Sequence, residues 1–383
     1  MLSMPIELSD DLAALQDTSR RFAEAEIRPV AAQYDETGEF PGQILKRAQQ
    51  AGLMNLVQRE EYGGSNLSIV EACVVIEELA AACAGFTTSI VANDLALTPI
   101  ALDGTFEQRA EFIRPIASSG SFASFCLTEP GAGSDAAGLT TMAERTTNGY
   151  RLTGTKQWIT NGGVASQYTV FATLDPTLRH KGVSCFVVPA DSPGITRGKH
   201  ENKMGQRCSN TVQVTFDGVE IPASHRIGEE GEGFSIAMRT LDLSRPLTAM
   251  IGVGIARRAC ELALAYAGER KQFGRLIGSF QAIQFMLADM ATAVDAARLL
   301  TMRAAALLDA GRPATLESSM AKRVAADTAM EVSTDAVQIY GGYGYTKEYP
   351  VEKLMRDAKL LQIYEGTSQI QRVVIARELM QRP

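Results

Sequence analysis

Apolar residues recur at helical spacing near both ends of the chain and at every second position in its middle. The first helical pattern runs from Leu12 to Pro29, where the proline is expected to end it, and another covers 68–80 (SIVEACVVIEELA). The C-terminal pattern is clearest along 281–300. Between them, alternating stretches such as 183–190 (VSCFVVPA) are separated by Asn-Gly and Asp-Gly pairs, which favour tight turns. This order predicts helices, then an antiparallel sheet, then a bundle of helices.

The two changes of pattern, near Phe122 and near Phe234, set the expected domain boundaries. We predict an α+β protein with an N-terminal all-α domain over 1–121, a middle antiparallel β domain over 122–233 and a C-terminal helical-bundle domain over 234–383. Because small ligands often bind between domains, an interdomain cleft is the first place to look for a site.

Composition excludes several classes of protein. Hydrophobic residues make up 45% and charged residues 21% of the 383 residues, which is typical of a globular protein and not of a disordered one. The 37 basic and 44 acidic residues leave a net charge of -7, so no nucleic-acid partner is expected. No stretch approaches the roughly 20 apolar residues of a membrane span. The start, MLSMPIELSDDLAAL, lacks the basic and apolar regions of a secretory leader.

The cysteines and histidines predict neither a disulfide framework nor a metal site. Six cysteines occur at low density and form no CxxC pair. The histidines His180, His200 and His225 are too far apart for a metal-binding pair on one helix. We therefore expect a protein of a reducing compartment, the cytoplasm, without bound metal.

Two segments at the expected sheet have the composition of a binding site. The segment 126–135 (CLTEPGAGSD) combines small and polar residues, which let backbone N–H groups approach an anion or a flat cofactor. Taken alone, the segment is better explained as an ordinary loop next to a strand. The segment 156–162 (KQWITNG) holds Trp158, the only tryptophan, as either a core residue or the wall of an aromatic cofactor site.

A third segment, 363–371 (IYEGTSQIQ), separates two helical patterns and offers a candidate general base, Glu365. Ser368 and Gln371 match a capping box, so Thr367 and Ser368 are also explained as helix-capping residues. Burial would raise the pKa of the Glu365 carboxyl, whereas a neighbouring helix N-terminus would lower it. The sequence does not decide between these two effects.

The three segments, in this order, resemble the acyl-CoA dehydrogenase family, most closely its medium-chain and short-chain type. The resemblance runs from about Leu8 to Leu379. It includes NKMGQRCSNT (202–211), GERKQFG (268–274), FQAIQFMLADM (280–290) and QIYGGYGYTKEYPVEKLMRDA (338–358). It implies the family fold, in which the C-terminal domain is a four-helix bundle, and a homotetramer that binds one FAD per subunit.

The resemblance also implies a reaction. Members of the family oxidise the α,β bond of an acyl-CoA thioester to a trans-2-enoyl-CoA in fatty-acid β-oxidation and pass the electrons to an electron-transferring flavoprotein. Short- to medium-chain substrates, including branched or cyclic ones, are expected here. By position, Glu365 is the catalytic base that removes the α-proton. Its backbone N–H and a flavin hydroxyl hold the thioester carbonyl in the family, as an oxyanion hole does.

Binding residues are likewise implied by position. The FAD contacts are Leu127, Thr128, Ser134, Trp158, Thr160, Arg270, Phe273, Gln281, Gln338, Gly341, Gly342, Thr367 and Gln369. The acyl-CoA contacts are Ser134, Asp242, Ser244, Arg245, Tyr364 and Gly366. Within the first group, Arg270, Phe273 and Gln281 match residues that reach the cofactor of a neighbouring subunit. For Arg245, a salt bridge within the bundle is an equal alternative.

Some relatives place the base at the position of Ser244, which is no carboxylate here, so Glu365 is retained as the base. Asp94 is expected to cap a short helix, LALTPIAL, or to face water. The alternative is a second proton acceptor in a dehydrogenase of alicyclic or dicarboxylic acyl-CoA. An acyl-CoA oxidase that uses O₂ and a non-catalytic binding protein are further alternatives. The chain length argues against the first, and the presence of Glu365, Trp158 and Arg270 against the second.

Overall fold

A computed structural model describes residues 9–381. The described part leaves out residues 1–8 and 382–383. It therefore leaves out most of the segment interpreted as lacking a leader, and the outer ends of the first and last predicted domains. The N-terminal helices are α1 (Asp10–Phe22), α2 (Ala31–Thr37), α3 (Gly42–Gln50), α4 (Ile69–Ala82), α5 (Ala84–Asp103), α6 (Phe106–Phe112) and α7 (Arg114–Ser119).

Local sequence explains where these helices begin and end. Helix α4 begins at a capping box in which Ser68 and Glu71 bond each other's backbone N–H groups. The pattern predicted as far as Pro29 ends its α-helical part at Phe22 and continues as a π turn and a 3₁₀ turn. The prediction of a short helix capped by Asp94 is wrong, because Asp94 lies in the middle of α5.

The strands are β1 (Phe122–Cys126), β2 (Met142–Arg145), β3 (Gly149–Thr160), β4 (Ala165–Thr173), β5 (Val183–Pro189), β6 (Ile195–Arg197), β7 (Thr211–Pro222) and β8 (Arg226–Ile227). They form one sheet in the order β6-β7-β3-β2-β4-β5-β8, with β1 also paired to β4. The predicted antiparallel sheet is mixed, because β1 and β2 both run parallel to β4. Gly218, expected in a turn, lies inside β7, where its positive φ of 64° fits an irregular strand.

The C-terminal helices are α8 (Gly233–Glu269), α9 (Gln281–Asp309), α10 (Thr315–Tyr340), α11 (Val351–Leu361) and α12 (Ser368–Gln381). A hairpin of β9 (Lys271–Gln272) and β10 (Arg275–Leu276) joins α8 to α9. Helix α10 packs against α8, α9 and α12, which completes the four-helix bundle, and α11 crosses its end. The amphipathic stripe of α9 buries Met290, Val294 and Ala297 in this bundle.

The N-terminal and C-terminal helices share one hydrophobic core, in which α4 and α5 pack against α8. Helix α5 also packs against β1, so it lies between the sheet and the bundle. Two further apolar clusters lie on the sheet. None of the helices within residues 9–381 is long and apolar enough to span a bilayer. The arrangement places one cleft where the sheet, α5, α8 and the junction between α11 and α12 meet.

Candidate active site

The cleft has an empty volume of about 1240 Å³ and brings together residues from all three regions of the chain. Nine of the residues expected to bind FAD or acyl-CoA, or to act as the base, line it. They are Leu127, Thr128, Ser134, Trp158, Thr160, Arg245, Tyr364, Glu365 and Gly366. Apolar residues of α5 and α8, among them Val91, Leu95 and Leu241, form a further part of the wall.

The backbone around Glu365 is held in an unusual conformation. Glu365 and Gly366 have positive φ angles of 52° and 87°, which are uncommon for a residue with a side chain. The Gln371 amide donates hydrogen bonds to the carbonyls of Glu365 (3.1 Å) and Gly366 (3.2 Å). A Cβ at position 366 would lie 2.6 Å from that amide nitrogen, so glycine is needed there. These bonds support a strained turn that directs Glu365 toward the cleft.

The predicted capping box at this turn is wrong. Thr367 caps α12, because its hydroxyl accepts a hydrogen bond from the Ile370 N–H at 3.1 Å. The Ser368 hydroxyl instead donates to Asp327 at 3.0 Å, and Gln371 bonds the two carbonyls described above. The capping residue is therefore one position earlier than the pattern indicated.

The Glu365 carboxylate has hydrogen-bond donors but no cation in contact. The Ser244 hydroxyl lies 3.1 Å from both carboxylate oxygens, and Thr248 also bonds to the carboxylate. No Lys, Arg or His nitrogen within residues 9–381 comes within 4.0 Å of it. Although the residue is only half-buried, protein surrounds its carboxylate, and this desolvation raises the pKa of Glu365. Bonds from Thr248 and Ser244 and the charges of Lys322 and Arg245 oppose the rise.

Arg245 makes the salt bridge given as one of its two interpretations, and its contact with acyl-CoA stays a prediction. Its guanidinium lines the cleft and also forms a salt bridge of 2.6 Å with Asp242, whose other oxygen accepts a bond from Thr315. The Nε of Arg245 is buried and makes no hydrogen bond to the part of the chain that is described. Asp242 therefore acts through Arg245 and does not itself line the cleft.

Trp158 projects into the cleft because β3 is irregular at this point. The register between β3 and β7 shifts between Lys156 and Ile159, and Trp158 has a φ of 61°. Its indole ring is consequently 60% exposed and lines the cleft, which excludes the interpretation as a core residue. An exposed aromatic face in a cleft wall is suited to contact a flat ring.

A buried ion pair holds the loop after β1 against β3. Lys156 Nζ lies 2.8 Å from Glu129 and 3.1 Å from the Leu127 carbonyl. Glu129 also accepts bonds from the backbone N–H groups of Thr140 and Thr141. Burial alone would raise the pKa of Glu129, but the Lys156 ammonium and these bonds together lower it to about 2. The loop that lines the cleft is thereby fixed in position.

The side chain beside the base is tied to a second loop. The Tyr364 hydroxyl lies 3.5 Å from Thr88 Oγ1, which donates to Gln206 Oε1 at 2.7 Å. Gln206 donates in turn to Asp357 through its backbone N–H and through its amide. Gln206 belongs to the segment 202–211 of the resemblance. The structure gives this segment a role in supporting the wall of the cleft.

Asp94 lies outside this cleft. Its carboxylate accepts bonds from the Leu56 backbone N–H (2.9 Å) and the Gln58 amide (3.2 Å), and it borders a neighbouring cavity. Burial raises the pKa of Asp94 to about 6. Asp94 therefore holds the loop that contains Leu56 and Gln58, and it neither caps a helix nor faces water. A role as a second proton acceptor is not favoured, since both oxygens are engaged.

The remaining predicted residues lie elsewhere on the subunit. Arg270, Gly341 and Gly342 line a separate cavity. Phe273, at the tip of the β9-β10 hairpin, is 93% exposed. Gln281 begins α9, Gln338 lies near the end of α10, and Thr367 and Gln369 lie at the start of α12. None of these eight residues lines the main cleft of its own chain. Their roles stay predictions.

Sequence reasoning missed several residues that build the site. Glu129 and Lys156 both stood in the quoted motifs, and their pairing could have been inferred from a buried lysine expected on a strand. Thr248 lies one helical turn after Ser244, so the face of α8 carried a signal. Lys322 lies in α10, far from the motifs, and nothing in the sequence pointed to it.

A carboxylate with a raised pKa, in a cleft with an exposed aromatic wall, is the arrangement of an enzyme active site. Models of the acyl-CoA dehydrogenase N-terminal, middle and C-terminal domains match residues 9–120, 124–219 and 231–380. The chain belongs to the acyl-CoA dehydrogenase family, as its motifs suggested, and it has the fold of that family.

Individual relatives cover the whole chain. The sequence is 41% identical to the short-chain specific acyl-CoA dehydrogenase of Clostridium acetobutylicum, over 98% of this chain and 100% of that protein. The structure is similar to butyryl-CoA dehydrogenase from Megasphaera elsdenii, with a TM-score of 0.96, 39% identity, and 99% and 100% of the two chains covered. A chain in a structure reported for the electron transferring flavoprotein of Acidaminococcus fermentans gives a TM-score of 0.96 at 42% identity, with the same coverage.

Proposed function

We propose that this protein is an FAD-dependent acyl-CoA dehydrogenase. It oxidises the α,β bond of short- to medium-chain acyl-CoA thioesters to trans-2-enoyl-CoA and passes the electrons to an electron-transferring flavoprotein. The observation that carries the proposal is Glu365, a carboxylate with a raised pKa that has no ion-pair partner within residues 9–381 and lies in the same cleft as the exposed ring of Trp158. The short-chain and butyryl-CoA dehydrogenases among its relatives favour the short end of the substrate range.

The cleft suits a flavin. The exposed face of Trp158 offers a stacking partner. In the loop after β1, a Cβ at Gly131 or Gly133 would meet nothing within 4 Å, so a ligand can approach the backbone closely. The residues that would hold FAD in this chain are Leu127, Thr128, Ser134, Trp158 and Thr160. When bound, FAD supplies a two-electron acceptor for the hydride that leaves the substrate's β-carbon.

Glu365 does the proton chemistry. Its carboxylate takes the α-proton, and a raised pKa makes it a stronger base near neutral pH. Ser244 and Thr248 orient the carboxylate through hydrogen bonds. We propose that the Glu365 backbone N–H, in its strained turn, donates to the thioester carbonyl as negative charge develops there. The apolar walls, including Val91 and Leu95, exclude water from the acyl chain.

Exposed side chains outside the cleft support assembly with other copies of the chain. Phe273, Phe285 and Tyr345 are large apolar or aromatic side chains that are mostly exposed. We propose that they are covered in a homotetramer, where Arg270, Phe273 and Gln281 reach the cofactor of a neighbouring subunit. Size-exclusion chromatography with light scattering tests this, and a monomeric holoprotein would contradict it.

We also propose a cellular location and a division into domains. A cytoplasmic location is supported by the six cysteines, all of which are free and buried. The division into domains at 1–121, 122–233 and 234–383 is supported by the change from helix to strand at Phe122 and back to helix at Gly233.

The activity is tested by product analysis with different electron acceptors. Purified holoprotein is incubated with butyryl-CoA and either an electron-transferring flavoprotein or O₂ alone. We expect 2-butenoyl-CoA, lighter than the substrate by two hydrogens, in the presence of the flavoprotein and little O₂ consumption without it. Rapid turnover with O₂ would indicate an oxidase. Failure of an FAD-loaded protein to form product with any acceptor would indicate a binding protein.

A further inference from the structure

Lys322 is a buried cation beside the turn that contains Glu365. It belongs to α10, is only 1% exposed, and its Nζ donates a 2.6 Å hydrogen bond to the Gly366 carbonyl. No carboxylate within residues 9–381 lies within 4.0 Å of Nζ. A lysine is rarely buried without a counter-charge in contact, because desolvation penalises the ammonium. Lys322 therefore needs an explanation beyond packing.

The charges around the turn leave Lys322 facing Glu365. On α8, Arg245 is paired with Asp242. On α10, Asp327 is paired with Arg372 at 2.9 Å and with Arg323 at 3.6 Å. The neighbouring Tyr364 stays neutral, since burial raises the pKa of its hydroxyl. Among the described charges at this turn, those of Lys322 and Glu365 are the ones without an ion-pair partner within 4.0 Å.

We infer that Lys322 is the positioning residue for the catalytic base: it anchors the Glu365–Gly366 turn through the Gly366 carbonyl and supplies the counter-charge that keeps the Glu365 carboxylate ionised between turnovers. This inference rests on the proposed function. The two contributions differ in range. The anchoring is a direct hydrogen bond from Lys322 to the Gly366 carbonyl, whereas the charge of Lys322 acts on the Glu365 carboxylate from more than 4.0 Å away. At such a separation in a low-dielectric interior, an ammonium still stabilises a carboxylate appreciably.

Other groups face Glu365 and are unchanged by a substitution at position 322. They are Ser244, Arg245 and Thr248 on α8 and Gln371 on α12. Because the Lys322 charge lowers the pKa of Glu365, its removal raises that pKa. The base then becomes active at higher pH. A residue that served only to pack α10 would lower the rate equally at every pH.

The experiment follows the proton step alone. Phenylacetyl-CoA has α-hydrogens but no β-hydrogen, so the FAD-loaded enzyme can exchange its α-hydrogens with D₂O without redox chemistry. Exchange is measured by mass spectrometry between pH 5 and 10 for the wild type, Lys322→Met, Lys322→Gln and Lys322→Arg. Arg323→Met is the matched control, since it removes a neighbouring cation of α10 that pairs with Asp327. Flavin content and melting temperature show that each variant is folded.

We expect the midpoint of the Lys322→Met profile to move up by about one pH unit, with slower exchange below it. Lys322→Gln shows the same shift, whereas Lys322→Arg restores the wild-type midpoint and Arg323→Met leaves it unchanged. An unshifted midpoint in Lys322→Met or Lys322→Gln would overturn the inference, as would equal losses in the Met and Arg variants. If acyl-CoA fails to bleach the wild-type flavin, the proposed function fails. If the wild-type flavin is bleached but the pH profile of the Lys322 variants is not shifted, only the role of Lys322 is refuted.

Discussion

The two walls of the cleft shift the pKa of a glutamate in opposite directions. On the sheet side, Glu129 is in contact with Lys156 at 2.8 Å, and its pKa falls to about 2. On the bundle side, Glu365 has only hydroxyl donors in contact, and its pKa is raised. The difference lies in the nearest cation among residues 9–381, which is in contact with the Glu129 carboxylate but more than 4.0 Å from that of Glu365. An ion pair whose two groups are in contact, here called a closed pair, fixes a loop. A carboxylate whose nearest cation is not in contact, here called an open carboxylate, is free to accept a proton.

The largest effect is expected from removing the open carboxylate. Glu365→Gln keeps the size of the side chain but cannot accept the α-proton. Turnover should fall by about 10³-fold or more, which is the scale of a lost general base. FAD content and acyl-CoA affinity should stay near wild type, as measured by absorbance and calorimetry. Turnover within tenfold of the wild type would place the base elsewhere.

Breaking the closed pair should mainly cost stability. Lys156→Met leaves the Glu129 carboxylate buried without its cation, and such a loss typically costs about 3–5 kcal/mol. Urea unfolding of the holoprotein measures the change, with loss of FAD as a second signal. The double variant Lys156→Met/Glu129→Gln removes both charges and should recover part of the loss. A single variant as stable as the wild type would contradict the view that this pair fixes the loop.

Asp94 extends the comparison to a carboxylate with a raised pKa but no role in catalysis. Because its pKa is about 6 in the folded state and lower in the unfolded chain, the folded state binds more protons between these values. Its contribution to stability therefore falls as the pH rises through this window. The loss above pH 6 is on the order of 2–3 kcal/mol.

The substitution Asp94→Asn tests this directly. The melting temperature of the variant, relative to the wild type, should be higher at pH 8 than at pH 5. Acyl-CoA turnover should change little, since Asp94 lies outside the cleft. A difference in melting temperature that does not depend on pH would show that the Asp94 carboxylate is ionised at no cost.

The smallest effect is expected from the hydroxyl donor of Glu365. Ser244→Ala removes hydrogen bonds to both carboxylate oxygens, so the pKa of Glu365 should rise further. At pH 6 the rate should fall about tenfold, which corresponds to one lost hydrogen bond to a charged group. At pH 9, where a larger fraction of the base is ionised in both proteins, the loss should be smaller. A loss that is equal at both pH values would indicate an orienting role only.

Local patterns predicted the elements of the fold but not all of their pairing. The periodicity of 68–80 and the strand-like run of 183–190 correctly indicated α4 and β5, although both elements are buried on more than one face. The parallel pairing of β1 with β4 joins residues more than 40 positions apart, and no local pattern encodes it. Register across such a distance is decided by packing.

The same limit applies to the site. Glu365 and Trp158 could be predicted because each stands in a distinctive motif. Ser244 stood among the predicted contacts, but its hydrogen bonds to Glu365 and the approach of Lys322 from another helix could not be predicted. Asp94 was misplaced for a related reason, because the sequence did not show that α5 runs without a break from Ala84 to Asp103. The chemical role that a residue can play could be inferred from the residue itself, but the groups that shift its pKa could be identified only from the fold.

The measurement that tests the central claim most directly is an anaerobic titration of the purified yellow holoprotein. Butyryl-, octanoyl-, palmitoyl-, isobutyryl- and cyclohexanecarboxyl-CoA are added in turn while the visible flavin absorbance is followed. We predict that a short- or medium-chain thioester bleaches the flavin, that reoxidation in air is slow, and that Glu365→Gln stays yellow with the same thioester. A wild-type protein that binds FAD but is bleached by none of these thioesters would contradict the account.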